Sequence, residues 1–135
     1  MTDPARAAAN RATFEAVLAA ITAGEYERLV DFMTDDLEFD LPYGPDFLPM
    51  PIRGRDTWNQ MQLATFAMFR GFTNVPDSIY ETTDPDVLIA EYHSEAEVVR
   101  NGNEYRNRYI GVLRFRDGKI SQWREYHDPR ATDVM

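Results

Sequence analysis

The sequence of 135 residues predicts an α+β fold, in which three helices of the N-terminal half pack on the concave face of a curved antiparallel sheet. Apolar residues in the first half recur with the 3.6-residue period of helices, whereas the second half alternates apolar and polar residues. Short turn motifs separate the strands, and no repeat or linker divides the chain. We therefore expect one domain over residues 1–135, with the order α-α-β-α-β-β-β-β.

The three predicted helices precede most of the sheet. Thr2 to Pro4 has the capping residue and the early proline of a helix start, and Gly24 ends that helix. A short second helix is predicted over Glu25 to Met33 and a third over Arg55 to Phe69. One face of the third helix carries Trp58, Met61, Thr65 and Met68. We interpret this face as a core stripe whose Thr65 end can also line a cavity.

A strand and a proline-rich loop lie between the second and third helices. Asp36 to Tyr43 alternates like a half-buried strand. The loop over Pro42 to Pro51 holds four of the eight prolines together with Tyr43 and Phe47. Because proline is unfit for a central strand, we expect an apolar loop that covers a cavity mouth or, equally well, contacts a second subunit.

Four strands are predicted after the third helix. They cover Ser78 to Thr83, Val87 to Val99, and the two arms of a terminal hairpin. Asn101-Gly102 predicts a two-residue turn. This turn places Ser94 opposite Tyr109, and Glu95 opposite Arg108 on the outer face. Opposite charges across neighbouring strands favour that register.

The terminal hairpin over Glu104 to Asp128 is predicted from Asp117-Gly118 between two apolar-rich runs. A two-residue loop would place Trp123 opposite Val112, whereas a three-residue loop with a bulge would place it opposite Gly111. The longer loop separates the residues better, because the arginines then share one face. We expect the face with Trp123 to point inward.

The predicted inward face of this hairpin mixes polar and apolar side chains. It carries Asn107, Tyr109, Gly111, Leu113, Ser121, Trp123, Glu125 and His127, whereas the outer face carries the arginines with Ile110, Val112, Ile120 and Tyr126. Tyr92 and Ser94 join the inward face from the preceding strand. Carboxyl, imidazole, phenol and amide groups therefore enter an apolar surface, as in a substrate pocket.

The composition excludes several classes of function. Fourteen basic and 23 acidic residues give a net charge of −9, which argues against nucleic acid as a partner. No apolar run is long enough for a membrane span, and the N-terminus lacks the apolar core of a signal peptide, so we expect a cytoplasmic protein without a membrane partner. Two histidines and no cysteine argue against a metal site.

Five short motifs accompany the predicted element order. They are Arg53-Gly54-Arg55-Asp56, Glu81-Thr82-Thr83-Asp84-Pro85, Asn107 between Tyr105 and Tyr109, Asp117-Gly118-Lys119-Ile120, and Arg124-Glu125-Tyr126. With these motifs the chain resembles the nuclear transport factor 2-like superfamily of cone-shaped folds, and within it the SnoaL-like proteins and their PhzA/PhzB group. The resemblance covers nearly the whole chain and implies a homodimer formed through the outer sheet face.

The resemblance carries roles to particular positions. In the PhzA/PhzB group a glutamate at the position of Glu125 is the acid–base group. The helical histidine of that group corresponds to Met61 and a helical serine to Thr65, so the hydroxyl is kept but the imidazole is lost. The phenazine-forming reaction is therefore disfavoured.

Two other activities of the superfamily fit less well. The catalytic groups of its steroid isomerases fall at Val17, Leu41 and near Gly111, and all are replaced. The Asp-Arg-Asp set of its epoxide hydrolases would fall at Glu125, Gly111 and Tyr109, which keeps at most one carboxyl group. The sequence thus disfavours both mechanisms.

We hypothesise a cofactor-independent enzyme that isomerises, cyclises or dehydrates an apolar small molecule. Glu125 would be the acid–base group, because burial raises the pKa of a carboxyl, and Asn107, Tyr109 and His127 would assist. The predicted pocket walls are Tyr43, Phe47, Trp58, Met61, Thr65, Tyr92, Ser94 and Trp123.

Other roles for these residues stay open. Glu125 can instead accept a hydrogen bond from Tyr109 or Asn107 without catalysis, and His127 can merely cap the pocket rim. The whole domain can be a non-catalytic ligand-binding protein, or a dimeric structural module whose pocket is filled by its own side chains.

Overall fold

The computed structural model describes residues 3–135, which form one mixed sheet with helices on one side. Two helices, six strands and two 3-10 segments follow in chain order: α1 (Pro4–Thr22), a 3-10 segment (Tyr26–Phe32), β1 (Met33–Asp40), β2 (Ile52–Arg53), α2 (Arg55–Phe66), β3 (Phe69–Glu81), β4 (Val87–Val98), β5 (Glu104–Arg116), β6 (Lys119–His127) and a 3-10 segment (Pro129–Val134). The strand order is β2-β1-β6-β5-β4-β3. This architecture confirms the predicted α+β class.

Helix α1 begins as predicted. The Asp3 side chain accepts a hydrogen bond from the backbone N–H of Arg6 at 3.0 Å and so caps the helix, whereas Thr2 lies outside the described residues. The apolar face of α1 is fully buried: it carries Phe14, Val17, Leu18 and Ile21. The ring of Phe14 contacts the sheet through Tyr92 and Trp123, at centroid distances of 5.3 and 5.6 Å. This contact fixes the helix layer over the centre of the sheet.

Several predicted elements differ from the structure, among them the first strand, β1, which spans Met33–Asp40 rather than Asp36 to Tyr43. The second helix is a 3-10 segment, and the third, α2, ends at Phe66 rather than Phe69. Strand β3 begins at Phe69, nine residues before the predicted start at Ser78. Strand β1 pairs in parallel with β6, so the sheet is not wholly antiparallel. The short strand β2, which the sequence analysis missed, pairs with β1 at the sheet edge.

The β4–β5 register differs from the prediction by two residues. Tyr92 lies opposite Tyr109, and Ser94 lies opposite Asn107 rather than Tyr109. The turn is longer than predicted, because Val98 N donates a hydrogen bond to Asn103 O, which leaves four residues in the loop. A shift of two residues preserves the faces, so the predicted inward residues still point inward. On the outer face, Glu95 opposes Arg106 instead of Arg108.

The β5–β6 hairpin has a two-residue turn and a bulge further along. Arg116 pairs with Lys119, with Asp117 and Gly118 at φ values of 53° and 79°, which is the left-handed pair of a type I′ turn. A register shift next to Ser121 then places Trp123 opposite Leu113. Both predicted partners of Trp123, Val112 and Gly111, were therefore wrong, but Trp123 faces inward as expected.

The bulge also reverses one predicted side-chain orientation. Ile120 was expected on the outer face, yet it is fully buried opposite Phe115. The extra residue allows Ile120 and Ser121 both to be buried, and the Ser121 hydroxyl donates to Arg114 O at 3.1 Å. The alternation assumed from the sequence is broken at this point.

The outer sheet face is rich in charge and in ion pairs. Arg106 lies 2.6 Å from Glu104, and Arg70 lies 2.6 Å from Glu97. The homodimer expected through this face stays a prediction. Within residues 3–135, no helix combines the length and apolar character needed to cross a membrane.

Candidate active site

A cavity of about 430 Å³ lies between the helices and the inward face of the sheet. Aromatic and aliphatic side chains form most of its wall: Ile21, Leu29, Phe39, Leu41, Pro45, Phe47, Leu48, Trp58, Met61, Ala64, Phe66, Met68, Phe69, Phe72, Trp123 and Met135. The polar members of the wall are Gln62, Thr65, Asn74, Tyr105, Tyr109, Glu125, His127 and Thr132. The side chains of the described residues leave this space open.

Glu125 is the carboxyl group that lines this cavity. It lies on β6 directly opposite Gly111 of β5. Burial raises the pKa of Glu125 to about 7, although the hydrogen bond from Tyr92 acts in the opposite direction. A carboxyl that titrates near neutral pH can both accept and donate a proton.

A buried chain of hydrogen bonds holds Glu125 from behind. Trp123 Nε1 donates to the Tyr92 hydroxyl at 3.0 Å, and this hydroxyl donates to Glu125 Oε2 at 2.6 Å. Burial and the adjacent Glu125 carboxylate hold the pKa of Tyr92 well above its usual range. Tyr92 therefore stays protonated and acts as a permanent donor to the carboxylate.

Gly111 makes room for this chain. A Cβ at Gly111 would lie 2.9 Å from the Tyr92 hydroxyl and 3.3 Å from Trp123 Nε1. Gly111 lies diagonal to Tyr92 across β4 and β5, and its missing side chain leaves space for the Tyr92 ring. No larger side chain fits here while Tyr92 keeps its position.

Tyr109 lines the cavity next to this chain. Its ring stacks on Tyr92 at 5.1 Å, and its hydroxyl shares a 2.6 Å hydrogen bond with Ser94 Oγ. A longer contact of 3.5 Å joins the hydroxyls of Tyr109 and Tyr105. Burial raises the pKa of Tyr109 far beyond neutral pH, so its hydroxyl can orient a ligand but is not ionised.

Asn107 does not line the cavity, contrary to its expected assisting role. It is 3% exposed, and its amide is engaged on both sides. Nδ2 donates to the Tyr105 hydroxyl and to Asp128 O, at 2.8 and 3.2 Å. Oδ1 accepts from the backbone N–H groups of Arg108 and Asp128, at 2.8 and 2.9 Å. Asn107 thus fixes the end of β6 to β5.

His127 lies where the cavity approaches the outer surface. It is opposite Tyr109 and borders both the cavity and a groove on the outer face. Burial lowers the pKa of His127, against the opposing effect of Asp128, so the neutral imidazole dominates at pH 7. Nδ1 is buried and meets no hydrogen-bond partner in the part of the chain that the structure describes. This position fits the expected rim residue and leaves proton transfer open.

The predicted wall residues separate into three groups. Phe47, Trp58, Met61, Thr65 and Trp123 line the cavity as predicted. Tyr92 and Ser94 are buried behind the wall, where they hold Glu125 and Tyr109. Tyr43 is 58% exposed and packs edge-to-face on Tyr126 outside the cavity, at 5.7 Å.

The proline-rich loop contributes to the cavity as expected, through other residues than Tyr43. Pro45, Phe47 and Leu48 form part of the wall, and Phe47 is 85% exposed at the mouth.

The hydroxyl of Thr65 on α2 already has a hydrogen-bond acceptor within the protein, because it donates to Met61 O at 3.0 Å.

Several wall residues were missed by the sequence analysis. Asn74 belongs to the part of β3 that was not predicted as a strand. Tyr105 has the same odd-numbered parity as Asn107 and Tyr109, so the alternation of β5 could have identified it. Thr132 and Met135 reach the wall from the C-terminal 3-10 segment, which has no periodic signal.

The charge of the cavity wall limits what it can bind. Among the described residues that line it, none is lysine or arginine. Across residues 3–135, no three His, Asp or Glu side chains cluster in a way that could hold a metal ion. Glu125 and His127 are the wall groups that can exchange protons near neutral pH. The geometry favours acid–base chemistry on an uncharged, largely apolar molecule.

Comparisons with known proteins agree with the fold. The SnoaL-like domain family matches residues 14–123. An uncharacterized PhzA/B-like protein of Pseudomonas aeruginosa is 38% identical over 94 residues, which are 69% of this chain and 64% of that relative. The chain thus spans less than two thirds of that relative's length.

Two solved structures share the architecture. The phenazine biosynthesis-related protein PhzB2 of Pseudomonas aeruginosa superposes with a TM-score of 0.82 and 20% identity, over all of this chain and 87% of its own. An LEH-like epoxide hydrolase of Mycobacterium tuberculosis superposes with a TM-score of 0.75 and 18% identity, over 92% of this chain and 86% of its own. At these identities the likeness establishes the fold.

Proposed function

The chain belongs to the SnoaL-like domain family, and from this premise we propose that it is a cofactor-independent small-molecule enzyme that transfers protons through Glu125. The reaction class is isomerisation, cyclisation or dehydration of an apolar, cyclic metabolite. The proposal depends on the position of the Glu125 carboxyl in the wall of a largely apolar cavity, where burial raises its pKa to about 7.

The mechanism assigns a separate role to each polar group. Glu125 removes a proton from carbon next to a carbonyl, or returns it, and Tyr92 steadies the carboxylate through its 2.6 Å hydrogen bond. The Tyr109 hydroxyl, held by Ser94, orients the polar group of the substrate. His127 stands at the rim as a neutral imidazole that can accept a proton. The aromatic wall excludes water and keeps the carboxyl poised.

The substrate class follows from the charges of the wall. A cavity without a cationic side chain gives a substrate carboxylate no partner, and a buried, unpaired charge is costly. Ionised Glu125 would also repel an anion. We therefore infer an uncharged substrate with at least one carbonyl or hydroxyl group.

Solvent exchange at an acidic carbon tests the proposed proton transfer. Neutral cyclic ketones, 2-tetralone first, are incubated in D₂O, and deuterium uptake at the α-carbon is followed by NMR. We expect exchange catalysed by the wild type to increase as pH rises through about 7, because the ionised carboxyl is the base, and to disappear in Glu125→Gln. Glu95→Gln is the matched control, since Glu95 is exposed on the outer face.

The same experiment separates an enzyme from a binding protein. A ketone that raises Tm equally in the wild type and in Glu125→Gln, without any exchange, would favour the non-catalytic ligand-binding alternative. If deuterium exchange at the α-carbon persisted in Glu125→Gln, the proton would be transferred by another group, and His127 would be the first candidate. Tetralin-2-carboxylate should not raise Tm at pH 7, because its charge finds no partner in the cavity.

A further inference from the structure

Asn74 is held at the cavity wall by its backbone. It lies on β3 opposite Ser94 and is 7% exposed. Its backbone N–H donates to Thr22 Oγ1 at 2.9 Å, and its carbonyl accepts from the same hydroxyl at 3.1 Å. The end of α1 therefore clamps this point of the strand, and the position of the side chain is fixed.

The side-chain amide of Asn74 is not used by the protein. It borders the cavity, and no donor within residues 3–135 reaches its Oδ1. Thr65 and Thr132 of the wall donate to Met61 O and Pro129 O, whereas Trp58 Nε1 and His127 Nδ1 resemble Asn74 Oδ1 in having no partner among residues 3–135. Because buried polar atoms are generally hydrogen-bonded, an unused amide in the wall of a largely apolar cavity calls for a partner from outside the chain.

Asn74 and Glu125 lie at separate positions on the sheet side of the cavity wall. Strands β4 and β5 separate β3 from β6 in the sheet. Asn74 is aligned with Asn107 of β5, whereas Glu125 is aligned with Gly111, four residues further along that strand. Three strand spacings near 4.8 Å together with this offset place the two residues roughly 19 Å apart along the sheet, less where it curves. A ligand of two or more rings spans a gap of this order.

We propose that Asn74 is a second polar anchor of the ligand site, which binds a hydroxyl or carbonyl group at the end of the molecule remote from Glu125. This inference rests on the proposed function for the identity of the first anchor. An amide offers both a donor and an acceptor, so the group it binds is uncharged. The substrate class is thereby narrowed to elongated, uncharged molecules with polar groups at both ends of an apolar body.

Matched biphenyls test the second anchor by binding alone. The probes are 4,4′-dihydroxybiphenyl, which has two polar ends, and 4-hydroxybiphenyl, which has one. We expect calorimetric titration of the wild type to give about tenfold tighter binding for the diol, the value of one additional hydrogen bond. In Asn74→Leu the diol should weaken to the affinity of 4-hydroxybiphenyl, and 4-hydroxybiphenyl itself should bind as before.

Stability distinguishes an anchor from a structural residue. Asn74→Leu removes an unsatisfied buried amide and should leave Tm unchanged or higher. A lower Tm, or an equal loss of affinity for both probes, would overturn the proposal. So would equal affinities of the two probes for the wild type.

The binding test of Asn74 can be judged separately from the ketone exchange test of Glu125. If Glu125→Gln abolishes ketone exchange but Asn74→Leu leaves the diol preference intact, the proposed function holds and the second anchor is wrong. If the diol preference depends on Asn74 while no variant alters exchange, the anchor holds and the acid–base role of Glu125 is wrong.

Discussion

The hydroxyl of Tyr92 on β4 donates a 2.6 Å hydrogen bond to Oε2 of Glu125 on β6, across the intervening strand β5. The bond passes over Gly111, the residue of β5 that lies opposite Glu125. A phenol therefore acts on the carboxyl from the side away from the cavity. This arrangement stabilises the carboxylate against the desolvation that raises its pKa.

Removal of this donor should make the carboxyl more basic. In Tyr92→Phe the ionised form of Glu125 loses its hydrogen bond, so its pKa should rise further above about 7. We expect the midpoint of the pH profile for α-carbon exchange to move to higher pH. The measurement is the exchange rate of 2-tetralone from pH 5 to pH 9.

The control for Tyr92→Phe is Tyr80→Phe, which removes a hydroxyl that donates to Glu91 on the outer face at 2.8 Å. That variant should leave the profile unchanged. An unchanged or lowered midpoint in Tyr92→Phe would contradict the role assigned to the Tyr92 hydrogen bond.

The raised pKa of Glu125 also predicts how stability depends on pH. Below pH 4.5 the carboxyl is neutral in both the folded and the unfolded chain, whereas above about 7 the folded chain must bury its charge. Its contribution to stability is therefore present at low pH and lost as pH rises from about 4.5 to 7. Glutamine stays neutral, so Glu125→Gln should gain on the order of 3 kcal/mol relative to the wild type between pH 4 and pH 8.

Urea unfolding of both proteins at several pH values measures this difference directly. Glu95→Gln, with an exposed side chain, should show only a small change over the same range. A Glu125→Gln difference that stays flat from pH 4 to pH 8 would mean that the carboxyl is not desolvated in the folded protein.

The sheet illustrates which features of this fold can be read from the sequence. Alternation correctly assigned Trp123, Glu125 and His127 to the inward face, because a face depends only on whether a residue is odd or even along the strand. The partners across the strands were wrong, because they depend on loop length and on the bulge beside Ser121. Neither the loop length nor the bulge leaves a periodic signal in the sequence. The burial of Ile120 follows from the same bulge.

The residues of the candidate site also divide into those that the sequence predicts correctly and those that it does not. Glu125 was predicted from its type and its face, and both are local properties. Asn107 was expected at the cavity, but its four hydrogen bonds fix β5 to the chain after β6. Asn74 was missed because Gly71 and Asn74 weaken the strand pattern of a segment that pairing with β4 stabilises. The positions of Asn107 and Asn74 depend on contacts between segments that are distant in the sequence.

The role observed for Asn107 gives a prediction about stability rather than catalysis. Asn107→Leu leaves the Asp128 backbone N–H and the Tyr105 hydroxyl without their partner. We expect a loss of about 2–4 kcal/mol in the free energy of unfolding. Amide hydrogen exchange should become faster from Asp128 to the C-terminus.

Asn103→Leu is the matched control for Asn107→Leu. Asn103 Nδ2 donates one exposed hydrogen bond to Val134 O at 3.0 Å, so its loss should cost less than about 1 kcal/mol. A stable Asn107→Leu protein with normal hydrogen exchange but no activity would restore the catalytic role predicted from the sequence.

The hydrogen bond from Tyr92 to Glu125 should require the absence of a side chain at residue 111 as much as it requires the Tyr92 hydroxyl. In Gly111→Ala the new Cβ would lie 2.9 Å from the Tyr92 hydroxyl and 3.1 Å from its Cε1. Tyr92 must then move away from Glu125. We expect a loss of about 1–3 kcal/mol in stability from overpacking, together with an upward shift of the Glu125 pKa as the hydrogen bond weakens.

A double-mutant cycle with Tyr92→Phe isolates this contact. The phenylalanine lacks the hydroxyl at 2.9 Å but keeps the ring atom at 3.1 Å, so Gly111→Ala should cost less in Tyr92→Phe than in the wild type. We expect a coupling energy of at least about 0.5 kcal/mol from urea unfolding of the four proteins. In addition, Gly111→Ala should no longer shift the pH profile once the hydroxyl is absent. Strict additivity of both effects would mean that the small residue at 111 serves the backbone of β5 and not the position of Tyr92.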